Sequence, residues 1–165
     1  MQQSEYSQLS GLSEAMAKRF QIMDDAISKG TLDKPSVGIF GTYLWFAKFR
    51  GEDSHRTLGI NFSWGAFLLG PYWYVHFGFI KEAFVILLMS SVIIGLIPPD
   101  FHGSTSGTSA IFGIFFTGTR YAKYKITGLL SPGGNIFLTM LITVGISIVS
   151  IIPLIVINGL LYGWE

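Results

Sequence analysis

Three histidines, His55, His76 and His102, are the side chains of this sequence best suited to metal binding or acid–base chemistry. They fall in a polar loop, an aromatic stretch and a second loop, without the Glu-x-x-His or His-x-x-x-His spacing of helical metal sites. Ser104 and Ser106 follow His102, but their Gly-Ser-Thr-Ser-Gly run is typical of a flexible loop, and a serine nucleophile needs a positioned base. We therefore expect no catalytic residue, no metal site and no enzymatic activity.

The absence of cysteine and the near-neutral charge exclude further classes of chemistry. With no cysteine, the chain has no disulfide, thiol nucleophile or thiolate metal site. No glycine-rich loop followed by lysine is present to bind a phosphate, so no cofactor is expected. A formal net charge of +1 gives no global field for nucleic acid, which we exclude as a partner.

The uneven distribution of charge indicates a membrane protein. Charged residues make up 13% of the chain, against about 25% in soluble proteins. After residue 82 the chain has five charged residues: Asp100, Arg120, Lys123, Lys125 and Glu165. A soluble domain of this size would need a charged exterior, so a bilayer is the better solvent for this half.

A stripe of apolar residues near the N-terminus predicts an amphipathic helix over residues 9–29. Its members, spaced 3, 4, 4, 3 and 4 apart, are Leu9, Leu12, Met16, Phe20, Met23 and Ile27. The stripe either packs on the protein's own cytoplasmic face, contacts a partner's helix or lies on the membrane surface. Under the second interpretation the partner-binding residues are Leu12, Met16, Phe20 and Met23.

The segment at residues 36–50 is apolar and aromatic but too short to cross a bilayer, which needs about 20 residues. It either lies in the headgroup layer, with Lys48 and Arg50 among the phosphates, or packs within a cytoplasmic lobe. Residues 1–60 are thus predicted to form a cytoplasmic N-terminal region, and residues 61–165 a membrane domain.

The membrane domain is predicted to begin with a short interfacial helix at residues 61–69. Asn61 or Ser63 can cap this helix, and Gly70-Pro71 ends it with a sharp bend into the next one. The aromatic side chains of this region, including Trp64 and Trp73, are typical of a membrane–water interface.

Three transmembrane helices are predicted, over residues 72–97, 108–123 and 135–162. Lys81 is expected to snorkel to the inner interface, where Arg120, Lys123 and Lys125 are also expected to lie. Small residues four apart in each span, such as Ser91 and Gly95, favour close helix packing. The predicted fold is therefore an all-α membrane protein with an additional N-terminal cytoplasmic amphipathic helix.

The positions of the basic residues predict the orientation. All 11 Lys and Arg residues lie in residues 1–81 or 120–125, and the loop after residue 97 and the C-terminal span have none. Because basic residues are retained in the cytoplasm, the N-terminus is predicted to be cytoplasmic and the C-terminus outside.

The run from Phe62 to Trp73, Phe-Ser-Trp-Gly-Ala-Phe-Leu-Leu-Gly-Pro-Tyr-Trp, resembles the hallmark of an uncharacterised bacterial inner-membrane family. In that family a Phe-Asn-Trp-x-Ala-Phe segment leads through Gly-Pro and Trp into apolar helices; here Ser63 replaces Asn. The stretch at residues 118–125, with Tyr and basic residues, is similar to a second feature of the family. The resemblance covers about residues 60–127 and the last span, and it implies a multi-pass protein of the bacterial inner membrane without naming an activity.

Two functions fit these features. The first is a non-enzymatic inner-membrane accessory or scaffold protein that binds a protein partner through its cytoplasmic N-terminal region. The alternative is a small oligomeric channel, permeability or holin-like protein, which would need homo-oligomers because three spans cannot enclose a pathway alone. Asn158 is the one strongly polar side chain deep in the last span, whereas transport ordinarily needs polar groups in mid-membrane.

Overall fold

A computed structural model describes residues 12–98 and 106–163, and all regular secondary structure within those residues is helical. The all-α prediction is therefore confirmed for this part of the chain. The α-helices are α1 (Glu14–Ser28), α2 (Thr57–Asn61), α3 (Trp64–Leu69), α4 (Pro71–His76), α5 (Ile80–Gly95), α6 (Ser106–Thr127) and α7 (Ile136–Tyr162). Two 3-10 helices, Ile39–Gly41 and Gly51–Arg56, lie between α1 and α2.

The chain divides into two compact units. The N-terminal unit comprises Met1–Trp64 and Gly113–Gly133, and the apolar unit comprises Gly65–Phe112 and Gly134–Glu165. The boundary after Trp64 lies close to the predicted one after residue 60. The assignment of Gly113–Gly133 to the N-terminal unit differs from the prediction, which places residues 61–165 in the membrane domain.

In the N-terminal unit, α1 forms where the apolar stripe predicts a helix. Ser13 caps the helix by accepting a hydrogen bond from the Met16 backbone N–H at 3.3 Å. The helix ends at Ser28, shortly before Gly30, whose φ of 72° is left-handed. Residues 9–11 of the predicted helix lie outside the described residues.

Residues 42–50 form no regular secondary structure and pack within the N-terminal unit. Thr42, Ala47 and Phe49 are buried, and Trp45 stacks on Tyr121 with 5.5 Å between ring centroids. Of the two interpretations left open for residues 36–50, packing within a lobe describes this part. The polar residues that follow, predicted as a loop, form the 3-10 helix Gly51–Arg56.

The bend predicted at Gly70-Pro71 is confirmed. The helix before the bend begins at Trp64, not at residue 61, because α2 ends at Asn61 and Phe62 is extended. Gly70 has a φ of 51°, which favours glycine, and Pro71 occupies the first turn of α4.

The predicted continuous helix over residues 72–97 is wrong, because the chain breaks between α4 and α5. Gly78 has a φ of 75°, and the Phe79 N–H donates to the Tyr74 carbonyl at 2.9 Å while the Gly78 N–H donates to Val75 at 3.0 Å. These bonds form a Schellman motif, completed by edge-to-face contact between the Tyr74 and Phe79 rings at 6.1 Å. A left-handed glycine therefore ends α4, and α5 restarts at Ile80.

Within the apolar unit, α5 packs along α7, and α4 packs on both. The Gly134 N–H donates to the His76 carbonyl at 2.7 Å, which joins the chain just before α7 to the chain before α5. At the other end, the Tyr162 hydroxyl donates to the Leu96 carbonyl at 3.1 Å. The two helices therefore run in the same direction.

Among the described residues, one helix is long and apolar enough to cross a membrane, and it is α7. Its bounds, Ile136–Tyr162, match the predicted span 135–162, with Asn135 as the N-cap and Pro153 inside the helix. The other two predicted spans are not confirmed. Helix α5 has 16 residues, and α6 buries much of its length inside the protein, including Phe112, Phe116 and Tyr121.

Candidate functional site

The outward face of α7 is the most extensive apolar surface in the described structure. In an apolar 18-residue stretch of α7, only 6% of the residues are buried. Fifteen of its 27 residues are large apolar side chains exposed on the outside: Ile136, Phe137, Leu138, Met140, Leu141, Val144, Ile148, Val149, Ile151, Ile152, Ile155, Val156, Leu160, Leu161 and Tyr162. An apolar helix in the core of a soluble protein would be covered by neighbouring elements, whereas this one presents its side chains outward.

Small polar residues of α7 lie away from this surface, and three of their hydroxyls, those of Thr139, Thr143 and Ser150, donate to backbone carbonyls four residues earlier. Thr139 and Ser150 are buried and donate to the carbonyls of Asn135 and Ile146, at 2.7 and 2.6 Å. The predicted close approach of α5 occurs at Gly95, where an added Cβ would lie 3.1 Å from Ile157. These groups support helix packing and do not line an open polar path.

The predicted interface residues of the first membrane segment have different environments. Trp64 is 68% exposed, whereas Trp73 is half-buried with its ring 5.1 Å from that of Phe77. A Cβ at Gly65 would lie 2.8 Å from the Trp73 ring, so this packing requires glycine. Lys81 is exposed on α5, and the adjacent Glu82 is buried in the first turn, where a helix N-terminus favours a carboxylate.

The predicted interface residues of α6 do not form a lipid-facing group. Arg120 is 4% exposed and donates to the Ser131 carbonyl at 3.4 Å, so its guanidinium is buried in protein, and its role as a membrane-interface residue stays a prediction. Lys123 is half-buried, and Lys125 pairs with Asp24 at 2.8 Å. These basic groups lie within the N-terminal unit because α6 supplies part of its core.

The apolar stripe of α1 also packs internally. Phe20 and Met23 are fully buried in a core with Ala47, Phe49 and Tyr121. The prediction that they contact a partner is therefore inconsistent with this structure, because no surface of either side chain is available. The other two predicted partner-binding residues, Leu12 and Met16, are partly buried and pack against the edge of this core.

The centre of the N-terminal unit is a polar junction that the sequence reasoning missed. Asn61, considered only as a helix cap, is fully buried and pairs with both backbone groups of Ala47, accepting at 3.0 Å and donating at 2.8 Å. It also donates to the Thr57 carbonyl at 2.8 Å. Gly118 lies against this junction, since an added Cβ would be 2.1 Å from the Trp45 carbonyl oxygen. Nothing local in the sequence indicates either contact.

Arg19 joins α1 to the Phe-Ser-Trp run. Its guanidinium donates to the Phe62 carbonyl at 2.6 Å and to the Thr117 hydroxyl at 3.3 Å. Burial lowers the pKa of Arg19, but a guanidinium remains charged at neutral pH, so these oxygens compensate for lost hydration. The Ser63 N–H donates to the Gly113 carbonyl at 2.8 Å, which fixes the run against α6.

The two described histidines belong to different units. His55 makes a 2.7 Å hydrogen bond between its Nδ1 and the Glu52 carbonyl, and His76 stacks on Tyr72 with 6.0 Å between ring centroids. His102 and Ser104 lie outside the described residues. Within residues 12–98 and 106–163, no three His, Asp or Glu side chains converge in a way that could hold a metal ion.

In comparisons with known proteins, the chain matches no family model, no curated protein and no solved structure. The resemblance of the run at residues 62–73 to an inner-membrane family therefore stays a prediction. The outward apolar face of α7 is therefore the main indication of function.

Proposed function

We propose that this chain is a non-enzymatic integral membrane accessory or scaffold protein, with α7 crossing the bilayer and the N-terminal unit in the cytoplasm. The outward apolar face of α7 is the observation that carries this proposal. As a helix of 27 residues, α7 is about 40 Å long, which exceeds a hydrocarbon core of about 30 Å. It has no charged residue, so lipid can solvate its whole length.

The parallel packing of α5 and α7 supports three crossings of the bilayer. If α7 begins at the inner surface, α5 begins there too, because His76 and Gly134 are hydrogen-bonded. Helix α5 is about 24 Å long and ends beside Ile157, so it would lie within the same apolar layer. The chain must then return inward between Leu96 and Ile136. Helix α6 lies in this stretch, but it does not present residues 108–123 as a lipid-facing span, since it is largely buried in protein from Phe112 to Ala122.

The proposed protein partner binds the N-terminal unit at Leu12 and Met16, the two of the four predicted partner-binding residues that are not fully buried. The location is the inner membrane of a bacterium, as the resemblance implies. The channel alternative has less support, because α7 contains no charged residue and its buried Thr139 and Ser150 hydroxyls are already bonded to backbone carbonyls four residues earlier.

Alkaline carbonate extraction of membranes tests the proposal. The chain should stay in the membrane pellet, and changing Ile148 and Ile152 on the outward face of α7 to Lys should release it. Two lysines near the centre of a spanning helix oppose insertion by about 5–7 kcal/mol together. The matched control changes the same residues to Ala and should remain in the pellet. Recovery of the unmodified chain in the soluble fraction would overturn the proposal.

Crosslinking in native membranes and conductance in liposomes separate the two functions. An accessory protein should co-purify with a stable partner and leave liposome conductance unchanged, and Leu12→Glu should weaken that capture. Conductance by the purified chain, without a partner, would favour the channel alternative and contradict the accessory function.

A further inference from the structure

A tight loop at residues 37–41 combines a strained backbone with exposed apolar side chains. The Gly38 N–H donates to the Thr42 carbonyl at 2.8 Å, and the Gly41 N–H donates to the Gly38 carbonyl at 3.3 Å. Phe40 lies between them with φ 58° and ψ 23°, the one left-handed non-glycine residue in the described chain. Aromatic residues rarely adopt this conformation, because Cβ approaches the following carbonyl oxygen.

Packing within the protein does not account for the strain at Phe40. Its side chain is 81% exposed, and Val37 is 53% exposed at the start of the same loop. Glycine or asparagine would fit this backbone better and would not expose an aromatic ring to water. An exposed aromatic side chain held at a strained position indicates a contact outside the described chain.

The segments that flank the loop are held by burial, hydrogen bonds and an ion pair. Thr42 is buried, and a few residues later the backbone of Ala47 is held by the buried Asn61 side chain. On the preceding side, Asp33 pairs with Arg50, and the Arg50 N–H donates to the Thr31 carbonyl at 2.8 Å. The loop thus projects two apolar side chains from these flanking segments.

We propose that this loop is a membrane-inserting tip, with Phe40 and Val37 entering the boundary between headgroups and acyl chains. The proposal rests on the proposed function, since a spanning α7 holds the N-terminal unit near the bilayer. A bilayer accommodates a convex apolar tip without a matching pocket, whereas a protein partner would need one. The exposed Lys34 nearby is suited to contact lipid phosphates.

Site-directed fluorescence tests the proposal. Because the chain has no native cysteine, each single-cysteine variant is labelled at one known position. Single-cysteine variants Phe40→Cys, Ser54→Cys and Ile148→Cys are labelled with an environment-sensitive fluorophore and reconstituted in phosphatidylethanolamine–phosphatidylglycerol vesicles. Ser54 is exposed on the 3-10 helix of the same unit, and Ile148 is exposed on α7. Nitroxide-labelled lipid should quench the probe at position 40 several-fold more than at position 54, and aqueous iodide should quench it less. A probe at Val37→Cys, with Phe40 intact, should behave like the probe at position 40.

Four outcomes would overturn or separate the proposals. Iodide quenching at positions 37 and 40 equal to that at position 54 means that the tip is in water, and the proposal is wrong. Protection from both quenchers means that protein covers the tip, which also overturns it. Lipid quenching at position 148 without quenching at position 40 rejects the loop alone, whereas no lipid quenching at position 148 rejects the spanning role of α7.

Discussion

At the scale of single residues, the contacts of Asn61 and Gly118 hold the segment that contains Trp45 and Ala47 within the N-terminal unit. The Asn61 amide supplies a donor and an acceptor to Ala47, so the backbone groups of this buried residue are satisfied without a sheet. Gly118 permits this arrangement, because the backbone of Trp45 occupies the space where a side chain would be. Asn61 and Gly118 therefore contribute to the same packing arrangement, although they are far apart in the sequence.

Replacing Gly118 with Ala is therefore expected to destabilise the N-terminal unit by about 2–4 kcal/mol. The added Cβ would lie 2.1 Å from the Trp45 carbonyl oxygen, so the backbone itself must move. Thermal unfolding of the purified protein in detergent, followed by circular dichroism, measures the effect.

Gly59→Ala is the matched control for this change, because Gly59 is also helical and an added Cβ there meets nothing within 4 Å. It should be neutral or slightly stabilising, since Ala favours helix over Gly by about 0.5–1 kcal/mol. Equal midpoints for the two variants would mean that the close approach at Gly118 is absent in solution.

At the scale of elements, the sequence predicts those features whose signals are local. The 28 uncharged residues before Gly163 predict α7, and Gly70-Pro71 predicts the bend before α4. The break at Gly78 was missed, because an isolated glycine in an apolar run is equally compatible with a continuous membrane helix. The burial of α6 could not be predicted either, since its aromatic residues suit lipid and a protein core equally well.

Helix α1 shows the same ambiguity, and one substitution resolves it. Phe20→Glu places a charge in a fully buried position, and loss of the ring alone costs about 3–5 kcal/mol. We expect the variant to unfold the N-terminal unit and to accumulate poorly, as judged by immunoblot and protease resistance. Lys18→Glu, an exposed change on the same helix, should behave like the unmodified protein. Normal accumulation of Phe20→Glu with loss of partner capture would instead restore the partner-binding role of the stripe.

At the scale of the whole molecule, charge and apolar surface are distributed between the two units. All basic residues other than Lys81 belong to the N-terminal unit, while the apolar unit contains α7 and its outward face. Under the proposed function, the apolar unit remains in the bilayer and the N-terminal unit is cytoplasmic. The number of crossings then depends on whether α5, which runs parallel to α7, enters the bilayer completely.

Reporter fusions determine both the orientation and this number. A reporter active only outside the cytoplasm should give signal when fused after Glu165 and none after Gly128, because basic residues are retained on the inner side. A third fusion, after Leu96, tests α5: signal there means three crossings, and its absence means that only α7 crosses. Fusions to a reporter active only in the cytoplasm serve as the control and should give the opposite pattern at each site. Signal after Gly128 would contradict the orientation, because it would place Lys123 and Lys125 outside.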